Sequence, residues 1–114
     1  MPYIHTRVNV PLTESQEITL KTEWGKAIAL LPGKSENWLM TGFEDNCHLY
    51  FRGSGEAPLA FVEVKIFGSA DGRDYERLTA RITEVLQQVL DIAADHVYVK
   101  YEEVQYWGWN GHNF

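Results

Sequence analysis

Cysteine is almost missing from this chain: of 114 residues only Cys47 carries a thiol. A single cysteine excludes an internal disulfide framework and any cysteine-rich zinc site, and by itself is expected to be a small buried hydrophobe. Basic residues are scarce as well, 10 Lys and Arg against 16 Asp and Glu, which leaves a net charge of −6. So acidic a chain makes a poor partner for nucleic acid, whose phosphates call for a basic face. A local basic pocket for a small acid is still compatible with that balance. No apolar run approaches the roughly 20 residues that cross a bilayer, so no membrane partner is expected. No N-terminal stretch joins a basic head to an apolar run, so the expected compartment is the cytoplasm, with leaderless secretion left open. The four histidines, His5, His48, His96 and His112, show no metal-ligand spacing. No metal and no organic cofactor is signalled.

Aromatic residues are plentiful, and of the four tryptophans Trp107 and Trp109 crowd the C-terminal end. With 45% hydrophobic and 23% charged residues, the chain suits one globular domain over residues 1–114. In Tyr3-Ile4-His5-Thr6-Arg7-Val8-Asn9-Val10, alternation puts Ile4, Thr6, Val8 and Val10 on one strand face and Tyr3, His5, Arg7 and Asn9 on the other. Thr13 and Gln16 form a capping box for a helix carrying Ile18, Leu20, Trp24, Ile28 and Leu31, which Pro32-Gly33 stops. Strands are expected at Trp38–Phe43, at His48–Phe51 and at Pro58–Phe67, the last with Ala60, Val62, Val64 and Ile66 alternating against Phe61, Glu63, Lys65 and Phe67. A second helix follows Gly72, with a stripe of Tyr75, Leu78, Ile82, Val85, Leu86 and Val89. The last long strand is His96–Glu103, and Trp107-Gly108-Trp109 suggests an added edge strand.

Strand, helix, strand therefore occurs twice, once from Pro2 to about Phe43 and again from Pro58 to about Glu103. The expected fold is α/β: a two-layer tandem βαβ sandwich with a four-stranded main sheet. Right-handed crossovers put both helices on one face of it. The other face, with Tyr3, His5, Arg7, Glu63, Lys65, Tyr98 and Lys100, is too mixed for an interior and too aromatic for plain solvent. Self-association is expected to cover it.

Pro2 directly follows the initiator Met1. Removal of Met1 would leave a secondary amine at the chain end, a base that needs no side chain. Such an amine is intrinsically basic, so it must be lowered by desolvation or a neighbouring cation before it serves near neutral pH. Lys34, just after Gly33, can either complement the first helix's dipole or point toward that terminus. Tyr98 on the last strand is either a subunit contact or a pocket wall, and Trp107, Trp109 and Phe114 are either terminal packing or walls.

Met1-Pro2 opening a strand, Asn9-Val10-Pro11, Gly33-Lys34, Gly53-Ser54-x-Glu56, Arg73-x-Tyr75, Val97-Tyr98-Val99-x-Tyr101 and Gly108-Trp109-Asn110 with Phe114 occur in that order. Together they span nearly the whole chain, which resembles the macrophage migration inhibitory factor family of the tautomerase superfamily. The resemblance implies a homotrimer whose sheets surround a channel, with active sites between subunits. It implies keto–enol tautomerisation of aryl α-keto acids such as phenylpyruvate, with Pro2 as general acid and base and without a cofactor. Lys34 would hold the substrate's carboxylate or carbonyl oxygen, and the backbone around Ile66 would bond the substrate. Tyr98 from the neighbouring subunit would line the pocket, with Tyr3, Trp38, Trp109 and Phe114 in or near its aromatic walls.

Three departures stand out. The positions of the Cys-x-x-Cys redox pair of cytokine members read Pro58-Leu59-Ala60-Phe61 here, which argues against thiol–disulfide chemistry. Lys100 takes the place of a pocket asparagine, and the segment between Tyr101 and Trp107 is shorter than in the mammalian proteins. The alternative that the resemblance carries is a cytokine-like or host-directed protein with vestigial activity and a protein receptor as its partner. A further alternative is dehalogenation or decarboxylation through the same amine. A retained Met1 would make the Pro2 nitrogen an amide and silence it.

Overall fold

The computed structural model describes residues 1–114. Strand β1 (Pro2–Val8) is followed by helix α1 (Glu14–Ala27), strands β2 (Met40–Glu44) and β3 (Ala60–Phe67), helix α2 (Gly72–Leu90) and strand β4 (Val97–Val104). A short hairpin of β5 (Gly108–Trp109) and β6 (His112–Asn113) ends the chain. The sheet order is β2-β1-β3-β4. β1 pairs parallel with β2 and β3 parallel with β4, while β1 and β3 run antiparallel at the centre. Those two parallel pairs are the two βαβ units expected from the repeated pattern, joined side by side into one four-stranded sheet.

The alternation of each central strand sets which side chains meet the helices. Ile4, Thr6 and Val8 of β1 and Ala60, Val62, Val64 and Ile66 of β3 are buried. Leu20, Trp24 and Ile28 meet them from the first helical segment, and Leu78, Ile82, Val85, Leu86 and Leu90 from α2. Thr6 is the one polar side chain in this core, and its hydroxyl accepts the indole N–H of Trp24 at 3.0 Å. That bond removes the penalty of burying both groups unpaired.

Local chemistry explains where the elements stop. Thr13 caps α1 through its bond from the Gln16 amide, and the Gln16 side chain accepts from the Thr13 amide in return. The α-helix ends earlier than the Pro32-Gly33 stop suggests: it tightens into a 3-10 turn at Ile28–Leu30. Gly33 then takes φ +82°, a left-handed conformation that redirects the chain and sets Lys34 against the end of the sheet. Ile18 is 52% exposed and does not belong to the buried stripe.

Other expectations shift in the same way. β2 begins at Met40, because Trp38 sits in a 3-10 turn, Glu36–Trp38, before the strand. The strand expected at His48–Phe51 is absent. Phe51 and Ser54 exchange backbone hydrogen bonds around a tight turn in which Arg52 and Gly53 both have positive φ, and no strand of this chain lies alongside to extend the ladder. Cys47 is half-buried, not a core residue, with its Sγ 3.5 Å from the Glu44 carbonyl.

Candidate active site

The site is built where β1 begins. Pro2 is buried and lies opposite Ile66 of β3, with Tyr3 opposite Lys65. One residue further, the Phe67 amide donates to the Met1 carbonyl at 3.0 Å. The Lys34 ammonium donates to the Phe67 carbonyl at 3.2 Å. Both backbone groups of Phe67 thus tie the chain terminus and Lys34 to one point. Sequence reasoning missed Phe67 because that role belongs to its backbone and depends on the β1–β3 register. Lys34 forms no ion pair with a carboxylate, so its charge is free to act on the terminus. The terminal ammonium is held below the usual range of an α-amine, first by burial and then by the positive charge of Lys34. Both causes leave more of this terminal amine in its free-base form at neutral pH.

An open groove of about 710 Å³ leads from the terminus. Met1, Pro2, Tyr3, Trp38, Lys65 and Trp109 are among its lining residues. Trp38 and Trp109 meet edge to face with ring centres 5.0 Å apart. Phe114 stacks on Trp109 at 6.4 Å and tilts against Phe67 at 5.6 Å. The C-terminal hairpin positions these rings. Asn110 and Gly111, with φ of 54° and 79°, make its two-residue turn. Within the chain, Gly108-Trp109 therefore pairs with His112-Asn113 and adds no edge to the main sheet. The Asn-Gly dipeptide was the available signal for this hairpin.

Two expected pocket residues lie elsewhere within the chain. Tyr98 pairs with Phe61, five residues along β3 from Ile66, which at strand spacing is roughly 17 Å from Pro2. It is 59% exposed and packs against Phe51 and Phe61 beside a small apolar pocket. Lys100 lies opposite Glu63 and bonds the Glu102 carboxylate at 2.8 Å, which raises the Lys100 pKa. One chain therefore gathers Pro2, Tyr3, Lys34, Trp38, Ile66, Trp109 and Phe114 around the terminus and leaves Tyr98 and Lys100 apart. Lys65, which lines the groove, is an addition that sequence reasoning had placed only on the uncovered face.

Behind the sheet end, the Tyr75 hydroxyl donates to Glu103 at 2.6 Å and the Ala70 amide donates to the same carboxylate. These bonds hold the Glu103 pKa below the usual carboxylate range and fix the loop between β3 and α2. The Tyr101 hydroxyl meets Thr79 at 2.7 Å and donates to the Tyr75 carbonyl, so β4 and the start of α2 are joined.

A two-layer tandem βαβ chain with its N-terminus at the head of an aromatic groove, beside a lysine, defines the architecture of the tautomerase superfamily. A family model described as macrophage migration inhibitory factor matches residues 1–114, and the chain belongs to that family. It is similar to the crystal structure of Leishmania major MIF2, with 33% identity over 100% of this chain and 97% of that one and a TM-score of 0.92. The macrophage migration inhibitory factor homologue from Prochlorococcus marinus is 32% identical, with 98% of each chain covered and a TM-score of 0.87. The Toxoplasma gondii protein, at 20% identity over 98% of this chain and 99% of that one and a TM-score of 0.86, shares the fold. No curated protein matches by sequence.

Proposed function

We propose that this protein is a keto–enol tautomerase acting on aryl α-keto acids such as phenylpyruvate, with the Pro2 nitrogen as general acid and base once Met1 is removed. The observation that carries this reading is the seat of the chain terminus: half-buried, beside the carboxylate-free ammonium of Lys34, at the head of a groove walled by Trp38 and Trp109. In the enolising direction the neutral Pro2 amine takes a proton from the carbon next to the keto group. The C–H electron pair becomes the new carbon–carbon double bond, and the carbonyl oxygen gains the charge. Lys34 stabilises that charge where it develops. The proton then passes to oxygen, which restores the amine and leaves the enol. Ketonisation is the reverse.

Removal of Met1 takes away the acceptor of the Phe67 amide. That amide becomes a free donor beside Lys34, suited to a substrate oxygen. The aromatic rings of the groove offer faces to an aryl group, and burial of the terminus favours the neutral amine. We place the homotrimer within the same proposal. Tyr98 lies too far from Pro2 of its own chain to line this groove, so the pocket role that the resemblance implies for it needs a neighbouring subunit. The test is the ketonisation of phenylpyruvate enol followed by ultraviolet absorbance. Faster decay with protein than without it is expected; equal rates would remove the tautomerase reading.

A further inference from the structure

Lys65 is a charged residue of the groove that forms no ion pair within the chain. It is half-buried on the uncovered face of β3 and lines the groove with Pro2, Tyr3, Trp38 and Trp109. The neighbouring carboxylates on that face are already engaged. Glu44 takes His5 at 2.7 Å and Arg7 at 2.9 Å. Glu63 takes Arg7 at 3.3 Å. Glu102 lies across the β3–β4 pairing from Lys65 and feels its charge, but its carboxylate is bonded to Lys100 at 2.8 Å. The Lys65 side chain makes neither an ion pair nor a hydrogen bond within the chain. A lysine on the groove wall that has no ion pair within the chain, its nearest carboxylate being bonded to Lys100, is suited to binding an anion.

The register gives that preference a direction. Lys34 is fixed at the Phe67 carbonyl, and Phe67 bonds Met1, one residue before Pro2. Lys65 stands opposite Tyr3, one residue after Pro2. The two lysines therefore flank Pro2 along the strand, with the tryptophan walls beside them. A substrate with a single carboxylate satisfies one lysine and leaves the other bare.

We propose that Lys65 determines specificity in this groove, and that the preferred substrate is an aryl α-keto acid carrying a second carboxylate on its ring, one anion held by Lys34 and the other by Lys65. The assignment rests on the tautomerase reading and narrows its substrate class. Its test compares phenylpyruvate with 4-carboxyphenylpyruvate, using the full chain freed of Met1, as wild type, Lys65→Met and Lys65→Arg. Wild type should prefer the dicarboxylate in kcat/KM. Lys65→Met should lower the ratio of the two kcat/KM values by roughly tenfold or more, through KM, whereas Lys65→Arg should keep the preference. A ratio unchanged in Lys65→Met, or a drop carried by kcat for both substrates alike, would overturn the assignment. If neither compound is turned over, the tautomerase reading fails, and Lys65 is then judged by tryptophan-fluorescence titration. Tighter binding of the dicarboxylate that Lys65→Met abolishes would uphold the assignment; equal binding of both compounds to wild type would overturn it.

Discussion

At the residue scale, the proposed function turns on how an amine is made weakly basic. Burial and Lys34 both lower the pKa of the terminal ammonium, with burial the larger cause. In the proposal, Met1 removal would put the Pro2 nitrogen at the chain end, in a strand whose helix-facing residues are buried and near the Lys34 ammonium at the Phe67 carbonyl. The sign of a pH test follows directly. Loss of the Lys34 charge removes one of the two lowering causes, so the pKa rises and less free base remains at neutral pH. Lys34→Met should therefore move the base limb of the pH–rate profile toward alkaline values. It should also reduce kcat/KM by roughly a hundredfold or more, as expected for loss of a group that stabilises developing oxygen charge. A profile with an unmoved limb would detach Lys34 from the amine. The place of Lys34 near the chain terminus was one of the two positions its sequence context allowed, and its bond to the Phe67 carbonyl puts it there. Phe67 and the groove-facing role of Lys65 were not legible in the sequence, since both follow from the register of β1 on β3, which alternation alone leaves undetermined.

At the scale of elements, chemistry written into short motifs was readable and contacts between distant segments were not. The Thr13–Gln16 capping box and the alternation of β3 appear in the structure as the pattern implied. β1 instead ends at Val8, short of the expected Val10, and the α2 stripe buries Leu90 where Tyr75 and Val89 are only partly buried. α1 was harder to read. Its buried residues are Leu20, Trp24, Gly25 and Ala27, and Ile18 points to solvent, so its apolar pattern is too sparse to define a face. The Phe51–Ser54 turn looked like a strand because an apolar, aromatic run has the right composition whether or not a partner strand lies beside it. Thr6 is a polar residue at a core position and needs a donor, which Trp24 supplies from another element. Trp24→Phe would leave the Thr6 hydroxyl buried without that bond. Chemical denaturation should show a loss of about 1–3 kcal/mol, and an unchanged midpoint would mean the bond adds nothing.

At the scale of the whole molecule, the fold leaves one face of the sheet without helices and equips it with His5, Arg7, Glu44 and Glu63 in a shared ion-pair network. The same face bears Tyr98, 59% exposed on β4. A chain that buries its apolar strands on one side and displays ion pairs and aromatics on the other is suited to closed symmetric assembly. Light scattering should give about 39 kDa, three times the 13.1 kDa chain. A stable monomer would remove the neighbour that the account asks to deliver Tyr98. The two βαβ units and their helices on one side were legible from sequence because each unit is local and handedness restricts the crossover. The antiparallel junction of β1 with β3, which creates the groove, joins distant segments and became visible only in three dimensions.

The proposed activity depends on the chemical state of the chain end, and one paired measurement tests it most directly. Two preparations of the full chain, one processed to Pro2 and one retaining Met1, each verified by intact mass, would be assayed side by side for phenylpyruvate ketonisation. The processed form should be active, and the Met1-bearing form should lose most of that activity because its Pro2 nitrogen is an amide. Equal rates from the two preparations would contradict the claim that Pro2 moves the proton.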